Sequence, residues 1–171
     1  MSELLGILKV VQEAVIVAAS QRNVNLPERQ FVVMGGAAYD CEQFVVSGMT
    51  GAPGIPGAEL PGGGILDSCP PGVWLASVEA AIVRKSCTGV AAIPGRRGNG
   101  IPDASAYDEE AAMMSDDFDI LRLAAESLSG GAPGQLGSVS ASIVMGAAQG
   151  QRVATVLSLG VPLWAPEPIG P

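Results

Sequence analysis

The chain of 171 residues carries 9 Lys and Arg against 17 Asp and Glu, a formal net charge of −8. That balance excludes a protein that grips duplex DNA through a basic face, since phosphate neutralisation dominates such affinity, but not a wall past which DNA slides without sticking. Apolar residues make up 48% and aromatic residues only 4%, which describes a single domain over residues 1–171 with a core of Val, Ala, Leu and Ile.

Ser2 to about Arg22 reads as a first helix, with Ser2 as its N-cap. Leu4, Leu8, Val11, Val15 and Ala18 form its buried stripe. Glu3, Lys9, Gln12 and Glu13 interrupt this apolar stretch, and it lacks the basic start of a secretory signal. No apolar run approaches the ~20 residues of a membrane span. Asn23 to Pro27 ends the helix, because proline cannot continue one. Gln30–Met34 is a short β-branched strand, and Gly35-Gly36 turns the chain. Cys41–Met49 is a second strand, with Glu42, Phe44 and Val46 facing opposite to Cys41, Gln43 and Val45.

Thr50 to Pro71 differs in kind. Glycine and proline are too dense there for a regular element, and loops of this length are functional or disordered. Gly62-Gly63-Gly64 is followed by neither GK[ST] nor a helix, so it is not read as a phosphate loop. The Gly-X-Pro spacing is too irregular for collagen. Val73–Lys85 is the longest strand candidate, in which Trp74, Ala76, Val78, Ala80 and Ile82 alternate with Ser77, Glu79 and Ala81. Thr88–Gly100 is a second loop. Its adjacent Arg96 and Arg97 form either a solvated turn or a basic tip for phosphate or an acidic partner.

Pro102–Leu128 is the amphipathic helix around which the rest is organised. Tyr107, Ala111, Met114, Phe118, Leu121, Ala125 and Leu128 share one stripe. Asp108, Glu109, Asp116, Asp117, Asp119, Arg122 and Glu126 form the face expected to meet water. Asp103 or Ser105 is the expected N-cap, and Ser129-Gly130-Gly131 the stop. After a linker from Gly130 to Gly137, Val139, Ala141, Ile143 and Met145 alternate with serines in one strand. Gln149-Gly150 turns the chain, and Val153, Thr155, Leu157, Leu159 and Val161 return in another. The segment 162–171 is a proline-rich extended tail, with Trp164 pinning it or serving a neighbouring subunit. Strand runs interrupted by single helices predict an α+β fold: a mostly antiparallel sheet of four to five strands with both helices on one face.

Chemistry is sparse. The chain has no His, and Cys41, Cys69 and Cys87 are widely spaced with no CxxC pair. A zinc site is therefore not expected, and buried reduced thiols are the plainer reading. Asp116, Asp117 and Asp119 lack the glycine and distant Glu of a calcium loop. Lys9 and Lys85 lie in no SxxK motif, and Ser68-Cys69-Pro70 has no basic partner nearby. Neither a catalytic motif nor a cofactor site is expected.

Four segments carry a resemblance. Pro27-Glu28-Arg29-Gln30-Phe31-Val32 follows the first helix. Tyr39-Asp40-Cys41-Glu42-Gln43-Phe44-Val45-Val46 matches a W/Y-D-C-x-Q-hydrophobic strand. Val78-Glu79-Ala80-Ala81-Ile82-Val83-Arg84 matches an x-V-E-hydrophobic-x-R strand. The acidic helix with Asp116-Asp117 and a closing hairpin ending in Pro162-Leu163-Trp164 complete the layout. Most of the chain thereby resembles the tail terminator proteins of long-tailed phages that infect actinobacteria. The resemblance implies a homohexameric ring in the virion neck, assembled in the host cytoplasm. Such a ring caps the tail tube, ends polymerisation of the major tail tube protein and docks the head-closure connector. DNA passes through without specific binding, and no membrane is involved. On this reading Ile55, Glu59, Leu60, Ile65, Asp67, Arg96, Arg97 and Trp164 are candidate subunit, tube or connector contacts. Glu59, Asp67, Asp116 and Asp117 are candidate channel-facing acids, since an acidic bore repels phosphate. Competing readings are another neck protein (head-closure or tail-completion), an unrelated module binding a peptide or small molecule in an apolar pocket, and a carboxylate–metal hydrolase.

Overall fold

A computed structural model of the chain describes residues 3–39, 41–50, 73–86, 104–129, 136, 139–147 and 152–164. The elements are α1 (Glu3–Arg22), β1 (Gln30–Met34), β2 (Gln43–Thr50), β3 (Val73–Lys85), α2 (Ala104–Leu128), β4 (Ser140–Ala147) and β5 (Arg152–Trp164). The fold is α+β. Five strands form one sheet in the order β1-β2-β3-β5-β4.

Both helices lie on one face of the sheet, as the pattern predicts. Leu4, Leu8, Val11 and Val15 of α1 and Ile120, Leu121, Ala124 and Leu128 of α2 are buried against Phe44, Val46, Val78, Ile82, Leu157 and Leu159. Each such large side chain contributes about 1.5–3 kcal/mol. α1 stops at a Schellman cap: Val24 N–H donates to the Ala19 carbonyl and Asn23 N–H to that of Ser20. Asn23 takes the left-handed conformation this requires (φ 55°).

The sheet is mixed rather than wholly antiparallel, because β1 runs parallel to β2. The other neighbouring pairs are antiparallel. Parallel neighbours force the chain to travel back along the strand before it can start again. Gly35 opens that return at φ +102°, with its N–H donating to the Gly48 carbonyl at 2.8 Å. The returning segment brings Ala37 and Tyr39 onto the face opposite the helices, over a second core of Val45, Ala81, Val83 and Ala154.

Three expectations are corrected. Ser105 lies inside α2, which begins at Ala104, so it is not the N-cap. The buried strip of α2 is Asp117, Ile120, Leu121, Ala124, Ala125 and Leu128, while Tyr107 and Ala111 are exposed. The strip is shifted because α1 packs beside α2 as well as the sheet beneath it. Lastly, β5 continues through Pro162 and Leu163 to Trp164, pairing with Leu75, Trp74 and Val73, so the tail's first three residues belong to the sheet. The Gly/Pro loop and the remainder of the tail lie outside the described residues.

At Gly48 a leucine of α1 packs directly on the strand backbone. A Cβ there would sit 2.7 Å from Leu8 Cδ2 and 3.2 Å from the Ser77 carbonyl oxygen. We expect Gly48→Val to destabilise by about 1–3 kcal/mol through overpacking. By contrast Gly6→Ala, where a Cβ meets nothing within 4 Å, should stabilise by about 0.5–1 kcal/mol. Denaturant midpoints of the two variants check both signs.

Candidate functional site

Most of the sequence-predicted contact residues fall outside what the structure describes. Ile55, Glu59, Leu60, Ile65, Asp67, Arg96 and Arg97 belong to that group. The Trp164 backbone closes β5 opposite Val73. Asp116 is exposed on α2, as expected.

Asp117 is the main correction. It is not on the solvated face: its side chain is 2% exposed and cannot present charge to a channel. Arg84 holds it from the end of β3 in a two-point grip. Nε donates to Oδ2 at 2.9 Å, and Nη2 donates to Oδ1 at 2.7 Å. Burial pushes the Asp117 carboxyl above its ordinary value. The Arg84 hydrogen bonds and charge pull it back, and Asp116 adds a further upward push. Its presence in the interior was foreshadowed. Arg84 continues the inward series Val78, Ala80 and Ile82, and Asp117 lies one turn before Leu121. Two opposite charges at inward positions call for each other.

The remaining ion pairs are on the surface. Arg22 meets Asp119 at 2.6 Å, and Arg122 meets Glu126 at 2.6 Å and Asp119 at 3.7 Å. Half-exposed pairs of this kind contribute at most about 1 kcal/mol. On the opposite face, a hydrogen-bond relay pins the returning segment. Arg29 Nη1 donates to Cys41 Sγ at 2.9 Å, Cys41 Sγ to Gln43 Oε1 at 3.0 Å, and Gln43 Nε2 to the Ala38 carbonyl. Cys41 is thus half-buried rather than a core thiol. Tyr39 donates its hydroxyl to Glu79 Oε2 at 3.2 Å. Burial, with the Glu79 charge and hydrogen bond, pushes the Tyr39 pKa up to about 12. Among the described residues, no three His, Cys, Asp or Glu side chains converge as a metal site would require.

The sheet has one poorly covered margin. Five strands about 4.8 Å apart span about 19 Å from first to last, which two helices about 10 Å across just cover, so a small offset of the pair leaves one edge bare. That edge is β4. On the helix side of that strand Met145 is 48% exposed. Beside β4, a shallow groove of about 580 Å³ is lined by Phe118, Arg122, Ala125, Glu126 and Ser129 of the α2 side and by Ala141 and Ile143 of β4. Phe118, expected in the core, instead forms part of this wall. Among the described residues no strand pairs with the outer edge of β4, and beside it lies an apolar trough with a charged rim, a surface suited to receiving another folded element.

Two measurements follow. Arg84→Met should cost about 3–5 kcal/mol, because it strands a buried carboxylate, whereas Arg84→Met with Asp117→Leu should recover most of that loss. A carboxyl whose folded pKa lies above the unfolded one contributes stability in its protonated form, lost as pH rises through the folded value. The single-variant penalty should therefore shrink on acidification, read from urea midpoints at acid and neutral pH. In a Tyr107→Phe protein, which leaves Tyr39 the sole tyrosine, phenolate absorbance at pH about 10 should be half-developed in the denatured chain and nearly absent in the folded one. The stability held by this group is lost as pH rises from about 10 towards about 12.

No protein-family profile and no curated protein matches the chain.

Proposed function

We propose that the protein works by shape, as one copy in a closed ring that caps a phage tail tube, stops its growth and joins it to the head. The observation that carries this reading is the open β4 margin, with its apolar trough and uncharged strand. A subunit that must join its own kind needs such an edge, whereas a protein that stays alone blunts it. Asp117, the sheltered carboxylate a catalyst could have used, is instead engaged in tying α2 to β3. The four-part resemblance supplies the identity of the ring: a homohexamer between the major tail tube protein and the head-closure connector. Asp116 remains as a described solvent-facing acid for the bore, and repulsion of phosphate by such a wall lets DNA pass. No cofactor is part of the reading. A peptide-binding module is the second reading, because the same trough admits an apolar segment.

The decisive experiment adds the protein to tail tube protein that is polymerising from tail tips. Capping predicts tubes of one limited length, with the protein found at the end distal to the tip by immunogold labelling. Tubes that grow without limit in its presence would overturn the proposal.

A further inference from the structure

We infer that the β4 margin of one copy receives the β1 edge and the α1 flank of a second copy, set head to tail. This deepens the ring reading and rests on it only for closure of the circle.

The two outermost strands of the sheet are β1 and β4. Gln30–Met34 and Ser140–Ala147 contain no charged residue and no proline, so neither edge carries the usual guards against pairing. Strand directions allow the join. β1, β2 and β5 run one way, β3 and β4 the other. Two copies side by side in one orientation therefore set β4 antiparallel to the next β1.

Level and facing also agree. Met34, Gly48, Val78, Leu159 and Ala141 share one row across the sheet, and Gln30, Phe44, Ile82, Thr155 and Met145 share another. With no slip, Gln30 of the second copy falls opposite Met145, Phe31 opposite Val144, and Val32 opposite Ile143. Val32 and Ile143 both belong to the helix-side core, and Phe31 packs on the other face. Side chains of like kind thus meet on the same face, and the most exposed apolar residue of β4 gains an aromatic neighbour.

The helices match as well. Leu8 lies against Gly48, and Arg22 reaches Asp119, near the opposite end of the sheet where Asp117 meets Arg84. α1 therefore descends as α2 climbs, from Asp117 at the Arg84 end to Ala125 beside Ala141. The second copy's α1 would stand antiparallel to α2 across the trough. Its Ile16, 38% exposed and on the flank of α1 turned away from its own α2, is the apolar side chain offered to the trough. The contact is heterologous, so it closes into a ring or runs on as a filament.

The test uses Gln30→Cys and Met145→Cys, both at exposed positions, each in a protein whose Cys41, Cys69 and Cys87 are Ser. Cross-strand neighbours place their Cβ atoms about 4.5–5.5 Å apart, close to disulfide reach. When the two single variants are mixed at high concentration and mildly oxidised, a mixed disulfide dimer should dominate. The two substitutions in one chain should give a covalent ladder. Ile16→Glu should weaken association about tenfold by sedimentation. Homodimers of either single variant in place of the mixed species would show an isologous contact and overturn the inference, as would absence of the mixed species. A mixed disulfide with uncapped tube growth would leave this contact standing and remove the phage-tail reading. Capped growth without the disulfide would do the reverse.

Discussion

The fit of two helices over five strands governs this molecule. The pair just spans the sheet, so a small offset leaves one margin bare. That margin is β4, the last strand on the α2 side, and not the centre, because β3 and β5 are locked together over their full length. Thirteen paired residues on each strand form a spine from which the rest hangs. The face away from the helices meets the same problem by another route. There the parallel β1–β2 pair forces a return segment across the sheet, and that segment becomes the cover, held by Tyr39–Glu79 and the Arg29–Cys41–Gln43 relay. Topology that looks like an irregularity thereby shields a second core without a third helix.

The buried Arg84–Asp117 pair has its place in the same geometry. α2 crosses the helix-side face only from about Asp117 onward, and its first turns carry exposed Tyr107, Ala111 and Ala112. A helix that is half supported can slide or rotate along an all-aliphatic strip with little penalty, since such surfaces repack readily. A bidentate guanidinium–carboxylate contact at the point where support begins fixes both rotation and height, because planar forks tolerate little misalignment. Its net contribution to stability is small when weighed against apolar residues of equal volume. Its contribution to a single register of α2 over the sheet is the larger one. That register in turn places Phe118, Arg122 and Glu126 along the trough.

Much of this was legible in the sequence, for identifiable reasons. The bounds of β1 and β3, the alternation of β2, the buried stripe of α1 and the placement of both helices on one face all follow from periodicity, which is local. Three matters were not legible because they are decided by contacts distant along the chain. Gly35-Gly36 signals a turn but not its sense, so a parallel return cannot be told from a hairpin. The strip of α2 faces the sheet and α1 together rather than one surface, which leaves Phe118 at the rim, although the inward place of Asp117 has a local sign in the opposite charge of Arg84. Pro162 suggested an end to β5. Proline is tolerated in a strand where its missing N–H points away from the partner, and β4 begins only at Ser140, opposite Gly160. Within Thr50–Pro71 and Thr88–Gly100 composition is the signal the sequence offers, and composition carries no geometry.

Charge completes the picture. A chain with net charge −8 repels its own copies, and that repulsion is the guard its uncharged edges lack. Acids spread over a whole surface act at the range of the Debye length, about 8 Å at physiological salt, so they slow random encounters without blocking a contact that is geometrically matched. Guards placed on β4 itself would have acted at contact distance and would have forbidden the intended partner along with the unintended ones. On the proposed ring, a subunit that joins its neighbour at one edge would be better served by dispersed charge than by a Lys or Pro in the strand. The uncharged run Ser140–Ala147, set in an otherwise acidic protein, fits that proposal.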